Sequence, residues 1–396
     1  MTALRLSPDT LGDYQAALKS AGVDGWLFYD FRGINPVAGE LIGIGGFVTR
    51  RIFVWVPATG MPVAVTHAIE QTVWNQWPSQ WGKVVYSAWT ALEQHVASLV
   101  KGKRIAMEYS PGGAVPYLDR IPAGMIEMIR AAGATVVSSG DMVSAFYARW
   151  SEQDLASHRR AAGVVAEVAQ DALRFAGEQA RTGRPAMEHE VQARIASAFT
   201  RAGLEFSHPP NVSWGPNAAN PHYEPSAATP VPVVTGATLL IDLWATEPGG
   251  VYADQTWMAS LGEPTARAQS IWEAVRDARD AALTLLREKA TARTPVRGAD
   301  IDDAARAVIK GRGFGEYFTH RTGHSIDARD LHGSGPNLDN LETREERLIF
   351  HGIGFSVEPG IYIPAEIGVR SEVNCCFQDG ELIVTPGEYQ RDMMIV

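Results

Sequence analysis

An aspartate inside a strongly apolar run constrains the fold of this chain more than any other feature. Residues 239–245 read LLIDLWA, so large apolar side chains flank Asp242. The turn sequence Glu247-Pro-Gly-Gly250 follows, and a second short run then carries Asp254. Two such runs around a Pro-Gly-Gly turn predict a β-hairpin. A helix cap or a salt bridge explains one buried carboxylate, but two that converge across one hairpin indicate a shared cation.

Further acids and histidines of the same kind occur towards the C-terminus. His320 and His324 are four residues apart, and His332 follows them. Glu358 stands in an apolar strand before a Pro-Gly break, and Glu372 stands in another predicted strand. Each residue alone is compatible with a capping acid, a solvated strand end or a core histidine. Together, several buried acids without obvious basic partners predict a compensating positive charge.

The order of predicted elements divides the chain in two. A length of 396 residues favours two domains. Residues 1–150 alternate short helices and strands, as in an α/β domain. The capping-box sequence Ser151-Glu-Gln-Asp154 then opens residues 151–396, in which two helices followed by strands occur twice. Thr265 starts the third of these helices, and Asp300 is predicted to cap the fourth.

Charge and cysteine content restrict the function class and the compartment. A formal net charge of -10 argues against a nucleic-acid partner and against an anionic membrane surface. The adjacent cysteines Cys375 and Cys376 do not suggest a disulfide framework. The N-terminal sequence lacks a secretory pattern, and no apolar run is long enough to span a bilayer. We therefore expect a soluble cytoplasmic protein.

The ordered acids and histidine also carry a family resemblance. The set Asp242, Asp254, His324, Glu358 and Glu372 resembles the metal ligands of the aminopeptidase P, prolidase and methionine aminopeptidase family. The segments Val-Glu358-Pro-Gly-Ile-Tyr and Arg370-Ser-Glu372 are the most specific matches. The resemblance implies an α+β pita-bread (creatinase/aminopeptidase-like) catalytic domain over residues 151–396. Residues 1–150 resemble, more loosely, the N-terminal α/β domain of prolidase, aminopeptidase P and creatinase.

The resemblance assigns a metal-binding role to each of the five ligands. Asp254 and Glu372 would bridge two divalent metal ions, Asp242 would bind one ion, and His324 and Glu358 would bind the other. Four carboxylates and one imidazole favour Mn²⁺, with Zn²⁺, Co²⁺ or Fe²⁺ as alternatives. Such a pair of ions can activate water and polarise a carbonyl group.

Other residues would act on the substrate by the same resemblance. Glu358 would also be the general base. His332 matches a downstream histidine that contacts the substrate and stabilises the tetrahedral intermediate, and His222 matches an upstream histidine that lines the pocket. Arg370 matches an arginine beside the second glutamate, either for substrate or as a neutralising partner of the carboxylates. His320 is expected next to the site rather than as a ligand.

The chain departs from the family pattern beside these ligands. Trp244 replaces the usual glycine two residues after Asp242, and Trp257 stands where an arginine is common. The interval between Asp242 and Asp254 is one residue longer than usual. These changes leave the ligand types intact but leave the shape of the pocket open.

The implied activity is metal-dependent hydrolysis of peptides with proline at the second position. An N-terminal domain of this kind favours the Xaa-Pro group over methionine aminopeptidases, and the complete ligand set argues against creatinase. Xaa-Pro dipeptidase (prolidase) is favoured, with an Xaa-Pro aminopeptidase or a non-catalytic binding protein as alternatives. Arg329, Arg344 and Arg347 are candidates for binding a dipeptide carboxylate. A homodimer is also implied.

Overall fold

The computed structural model describes residues 4–44, 48–327 and 329–396. The chain divides into two compact units between Tyr147 and Ala148. Among the described residues, none of the helices has the length and apolarity needed to cross a bilayer.

The unit that ends at Tyr147 contains a six-stranded sheet with the order β4-β3-β2-β1-β5-β6 among its described residues. Its strands are β1 Gly25–Asp30, β2 Ile52–Pro57, β3 Val63–His67, β4 Gly82–Tyr86, β5 Arg104–Met107 and β6 Thr135–Ser138. Its helices are α1 Leu11–Ser20, α2 Pro36–Ile42, α3 Trp89–Val100, α4 Ala123–Ala131 and α5 Gly140–Phe146. The pairs β1–β5, β5–β6 and β3–β4 are parallel, and the other pairs are antiparallel.

Both faces of this sheet are covered, and its strand β1 is buried throughout. Every residue of β1, which reads GWLFYD, is buried. Trp26 and Phe28 pack with α1, α2 and α5, whereas Leu27 and Tyr29 pack with α3 and α4. Neighbouring side chains of a strand point to opposite faces, so a strand that is buried along its whole length has helices packed on both sides.

The unit that starts at Ala148 contains four long helices among its described residues, and shorter strands. The helices are α6 Glu152–Arg181, α7 Glu188–Arg201, α8 Ala266–Thr291 and α9 Gly298–Gly311. The strands are β7 Asn211–Trp214, β8 Thr238–Ala245, β9 Ala253–Ser260, β10 Val296–Arg297, β11 Leu348–Ile349, β12 Ile353–Val357, β13 Gly360–Ile363, β14 Ile367–Arg370, β15 Val373–Gln378, β16 Glu381–Thr385 and β17 Met394–Ile395.

The predicted order of two helices followed by strands, twice over, is confirmed. Helices α6 and α7 share a hydrophobic core with β8 and β9. Helices α8 and α9 share another with β12 to β15. The strands form the sheets β17-β9-β8-β7, β12-β15-β16, β13-β14 and β10-β11. Each helix pair therefore covers the strands of its own half, which is the arrangement expected of an α+β pita-bread domain.

The predicted helix starts are correct with one exception. Ser151 and Asp154 form a reciprocal capping box, and the Thr265 side chain accepts a hydrogen bond from Ala268 N–H. The predicted cap at Asp300 is wrong, because α9 begins at Gly298 and places Asp300 in its first turn. A Cβ at Gly298 would lie 1.8 Å from the Asn337 carbonyl oxygen, so close packing rather than an acidic cap fixes this start.

Both cysteines lie in β15 as buried free thiols. Burial raises the pKa of the Cys376 thiol to about 12. Neither thiol is therefore a reactive thiolate near pH 7.

Candidate metal centre

The predicted hairpin is confirmed and brings its two aspartates to one face. Strands β8 and β9 pair in antiparallel register, with Asp242 opposite Thr256 and Trp244 opposite Asp254. Directly opposed residues of an antiparallel pair share a face, as do residues two apart on one strand. Alternate residues of β8, from Leu239 to Ala245, pack into the core under α6 and α7. The two aspartates consequently face away from those helices.

The two glutamates come from a junction between two β-ladders. The β12–β15 ladder ends at the pair Val357 and Val373, and the β13–β14 ladder begins at the pair Gly360 and Arg370. Glu358 and Glu372 lie between the ladders, where proline removes a backbone donor after Glu358. This break frees both side chains from the regular alternation of a sheet.

Three polar side chains join the hairpin to this junction. The Asn374 amide accepts a hydrogen bond from Asp254 N–H (2.8 Å) and donates one to the Asp254 carbonyl (2.7 Å). The Thr256 hydroxyl donates to Glu372 Oε2 at 2.8 Å, and Arg370 Nε donates to that hydroxyl at 2.7 Å. The carboxylates of the two halves are therefore held in fixed register.

His324 completes the cluster with a free ring nitrogen. Its Nε2 lies 3.3 Å from Asp254 Oδ2 and 3.6 Å from Glu358 Oε1. One ligand atom each of Asp254, His324 and Glu372 lies within 4.8 Å of the others. His324 Nδ1 lies 3.0 Å from the Ser325 carbonyl, which can only accept a hydrogen bond. Nδ1 therefore carries the proton, and Nε2 presents a lone pair to the carboxylates.

The charge balance of the cluster fits divalent cations. Asp254 Oδ1 and Glu372 Oε1 are buried and have no hydrogen-bond partner among the described residues. Burial, reinforced by Glu358, raises the pKa of Asp254 to about 8. Burial likewise raises the pKa of Asp242 to about 7 against the opposing charge of Arg370. Buried carboxylates that are costly to ionise and lack donors are compensated when they bind a cation, and oxygen-rich sets suit Mn²⁺ or Mg²⁺.

Arg370 lies against the carboxylates as their positive partner. Its guanidinium forms an ion pair with Asp242. Its Nη1 lies 4.0 Å from Glu358 Oε2 and 3.5 Å from the Tyr362 hydroxyl. This placement gives Arg370 the position of the neutralising partner considered from the sequence.

The other candidate histidines occupy different positions. The His332 ring packs against His324 with ring centroids 4.3 Å apart, and loss of solvent together with the His324 ring lowers the pKa of His332 to about 4. His320 Nδ1 and Nε2 lie near the Arg321 carbonyl (2.7 Å) and the Tyr362 hydroxyl (2.9 Å), so both nitrogens are engaged. His320 is thus beside the ligands rather than one of them.

His222 lies in an exposed turn after the short helix Gly215–Ala219. Its N–H donates to Asn220 Oδ1 at 3.0 Å. That short helix packs on β14, where a Cβ at Gly368 would meet the Ala218 carbonyl at 1.7 Å. The turn is therefore anchored beside the strand that ends in Arg370, and contacts within the described residues do not join the His222 ring to the carboxylates.

The two tryptophan departures have different consequences. Trp257 is buried in the core under α6 and α7 and donates through Nε1 to Gln255 at 2.8 Å. Trp257 therefore does not shape the site, a point that the sequence left open. Trp244 lies on the same face of β8 as Asp242, and these two are the half-buried positions of that strand. Trp244 Nε1 is buried without a hydrogen-bond partner among the described residues.

The three arginines considered for a substrate carboxylate are all paired. Arg347 is buried, binds Glu345 and donates to the carbonyls of Ser334 and Gly335. Arg344 forms an ion pair with Glu346, and Arg329 forms one with Asp327. Arg347 is consequently part of the loop framework.

Thr256 and Asn374 are site residues that the sequence reasoning missed. Thr256 is two residues after Asp254, and Asn374 is two residues after Glu372. Side chains two apart on a strand share a face. This parity could have found Thr256, which lies in β9 with Asp254, but not Asn374, because Glu372 lies at the junction before β15 begins.

Comparison with known proteins agrees with this geometry. Residues 156–378, more than half of the chain, match the family described as metallopeptidase family M24. The chain belongs to that family, whose description as metallopeptidases implies divalent metal ions.

The curated relatives match only part of this chain. An Xaa-Pro dipeptidase of Lactobacillus delbrueckii subsp. lactis is 33% identical over 211 residues, which are 50% of this chain and 53% of the relative. The chain thus spans about half the length of the curated relatives it matches.

Solved structures match the whole chain and confirm the fold. The dipeptidase PepE of Mycobacterium ulcerans superposes with a TM-score of 0.69 at 23% identity, over 99% of both chains. An Xaa-Pro dipeptidase of Bacillus anthracis gives a TM-score of 0.64 at 19% identity, over 98% of this chain and 99% of that one. The predicted two-part fold, with an α/β N-terminal part and a pita-bread C-terminal part, is therefore correct.

Proposed function

We propose that this chain is a metal-dependent peptidase that hydrolyses Xaa-Pro bonds at a centre of two divalent ions. The observation that carries the proposal is the convergence of Asp254, His324 and Glu372, with one oxygen of each acid buried and lacking a hydrogen-bond partner in the part of the chain that the structure describes. Asp242 and Glu358 border the same cluster through Arg370 and His324. Bound ions would supply Lewis acidity that polarises the scissile carbonyl and activates water.

Five of the chain's own residues would hold the ions, and one of them would also move a proton. Asp254 and Glu372 would be shared between the ions, Asp242 would bind one of them, and His324 and Glu358 would bind the other. Glu358 would also take the proton from the attacking water. Ser356 supports this role, because its hydroxyl donates to Glu358 Oε1 at 3.2 Å and accepts from His324 N–H at 2.9 Å.

Substrate contacts would come from residues around the ions. The neutral His332 ring, packed on His324, would contact the substrate and donate to the oxygen on which negative charge develops. His222 would line the pocket from its anchored turn. Arg370 would hold Asp242 and Thr256 in place for the reaction.

The substrate class proposed is Xaa-Pro dipeptides, with longer Xaa-Pro peptides as the alternative. The dipeptidase names of the relative from Lactobacillus and of the solved structures support the first choice. We also propose Mn²⁺ as the favoured metal, a homodimer, and a cytoplasmic location, all of which stay predictions.

Hydrolysis of matched peptides tests the proposal. Purified protein with Mn²⁺ is expected to release proline from Ala-Pro, and to act more slowly on Ala-Pro-Ala. The non-proline dipeptide Ala-Ala is the control for specificity. Preference for the tripeptide would favour an Xaa-Pro aminopeptidase over a dipeptidase. If neither proline peptide were cleaved, a non-catalytic binding protein would be the remaining interpretation.

A further inference from the structure

A buried carboxylate on α9 accepts several hydrogen bonds from the loop that leads to the proposed metal ligands. Asp302 is fully buried. Its carboxylate accepts hydrogen bonds from Thr322 N–H (2.9 Å), the Thr322 hydroxyl (2.6 Å) and Asn340 N–H (3.1 Å). The loop around Thr322 is therefore tied to α9 as well as to the loop around Leu338, which pairs with Gly323.

Arg306, one helical turn further on, holds the same loop at two more points. It binds Asp302 through two hydrogen bonds of 2.9 Å. Its remaining donors reach the carbonyls of Phe318 and His320, both at 2.9 Å. The guanidinium also lies 4.1 Å from the centroid of the Phe318 ring. The Asp302–Arg306 pair thus fixes the chain from Phe318 to Thr322.

Two ligands depend on this fixed segment. The Thr322 carbonyl accepts a hydrogen bond from Glu358 N–H at 2.7 Å. His324 follows two residues later, and its N–H and Glu358 Oε1 share the Ser356 hydroxyl. Asp242, in contrast, takes its position from the pairing of β8 with β7 and β9. The hydrogen bonds of Asp302 and Arg306 therefore position His324 and Glu358 but not Asp242.

We propose that Asp302 and Arg306 are positioning residues for the ion bound by His324 and Glu358, and that they have little influence on the ion bound by Asp242. This inference rests on the two-ion site of the proposed function. Residues that orient metal ligands typically change metal affinity about 10- to 100-fold when mutated. A buried pair that loses one charge also leaves its partner uncompensated, so the loop that carries His324 should shift.

Calorimetric titration of metal-free protein with Mn²⁺ tests this inference without any peptide. Wild-type protein is expected to bind two ions. Asp302→Asn should weaken one binding step about 10- to 100-fold and leave the other within about threefold. The matched control is Asp303→Asn, because Asp303 is exposed, is the next residue of α9, and binds the neighbouring Asn340 side chain at 2.8 Å.

A milder variant covers the case in which Asp302→Asn does not fold. Thr322→Val removes only the hydroxyl that donates to Asp302, and it should weaken the same single step by a smaller factor. The inference would be overturned if a folded variant bound Mn²⁺ equally weakly in both steps, or if neither binding step changed. Failure of the proposed function is a separate result, because wild-type protein could bind both ions and yet cleave no proline peptide.

Discussion

His324 Nε2 lies 3.3 Å from Asp254 Oδ2, although the histidine follows α9 and the aspartate belongs to the hairpin after α7. This contact is one of several that join the two halves of the pita-bread unit. Because Nδ1 of His324 is committed to the Ser325 carbonyl, Nε2 can only accept from a donor or bind a cation. The carboxylate opposite it offers no donor when ionised, so the contact is favourable with a metal ion between the two groups.

Glu358→Gln should remove the general base while leaving the fold unchanged. We expect kcat for Ala-Pro to fall by about 10²- to 10⁴-fold, since that is the usual contribution of a positioned base. Glu366→Gln is the control, because Glu366 is half-exposed and pairs with Arg267 away from the cluster. A Glu358→Gln protein with normal kcat would remove Glu358 from the mechanism.

The metal-free protein should become less stable as pH rises from about 6.5 to 8, above the range in which histidines such as His332 titrate in the unfolded chain. Burial raises the pKa of Asp242 to about 7 and of Asp254 to about 8. The folded chain therefore holds protons that the unfolded chain has released, and the stability that they contribute is lost as pH rises through these values.

Mn²⁺ replaces those protons, so its affinity should rise over the same pH range. Melting temperatures with a chelator and with Mn²⁺ at several pH values measure both trends. Metal-free protein that is more stable at pH 8 than at about pH 6.5 would contradict the raised carboxyl pKa values.

Arg370→Met should destabilise the metal-free protein and disturb the cluster. The guanidinium is buried, pairs with Asp242 and donates to Thr256, so its loss leaves buried acceptors uncompensated. We expect a loss of about 3 kcal/mol in the free energy of unfolding, as for other broken buried pairs. Arg267→Met, which breaks an exposed pair, should cost far less. Urea denaturation measures both, and equal losses would argue against a central role for Arg370.

Trp244→Ala should alter the choice of substrate, since Trp244 shares the face of Asp242 and lies opposite Asp254. Removing the indole opens space on that face. We expect kcat/KM for dipeptides with a large first residue to rise about tenfold relative to Ala-Pro. Trp257→Phe is the control, because Trp257 packs under the helices on the other face. An unchanged ratio in Trp244→Ala would show that the indole does not limit the pocket.

The hairpin, the four acids and His324 could be predicted from the sequence because charged residues in apolar strands are conspicuous. The alternation of side chains along β9 could also have been inferred from the sequence. It would have placed Trp257 in the core and Thr256 at the site. The junction that pairs Glu358 with Glu372 was not readable, since it depends on where two ladders end. The start of α9 at Gly298 could not be predicted either, because it depends on how closely Gly298 approaches Asn337 in the folded chain.

The number of divalent ions bound per chain tests the central claim most directly. Elemental analysis of protein reconstituted with Mn²⁺ and freed of excess metal should find two ions per chain. Glu372→Gln changes the ligand proposed to be shared, whose Oε1 is buried without a hydrogen-bond partner among the described residues, and this variant should lose most of both ions. Wild-type protein that retains no ion, or a Glu372→Gln variant that retains two, would contradict the assignment of these residues as a two-ion centre.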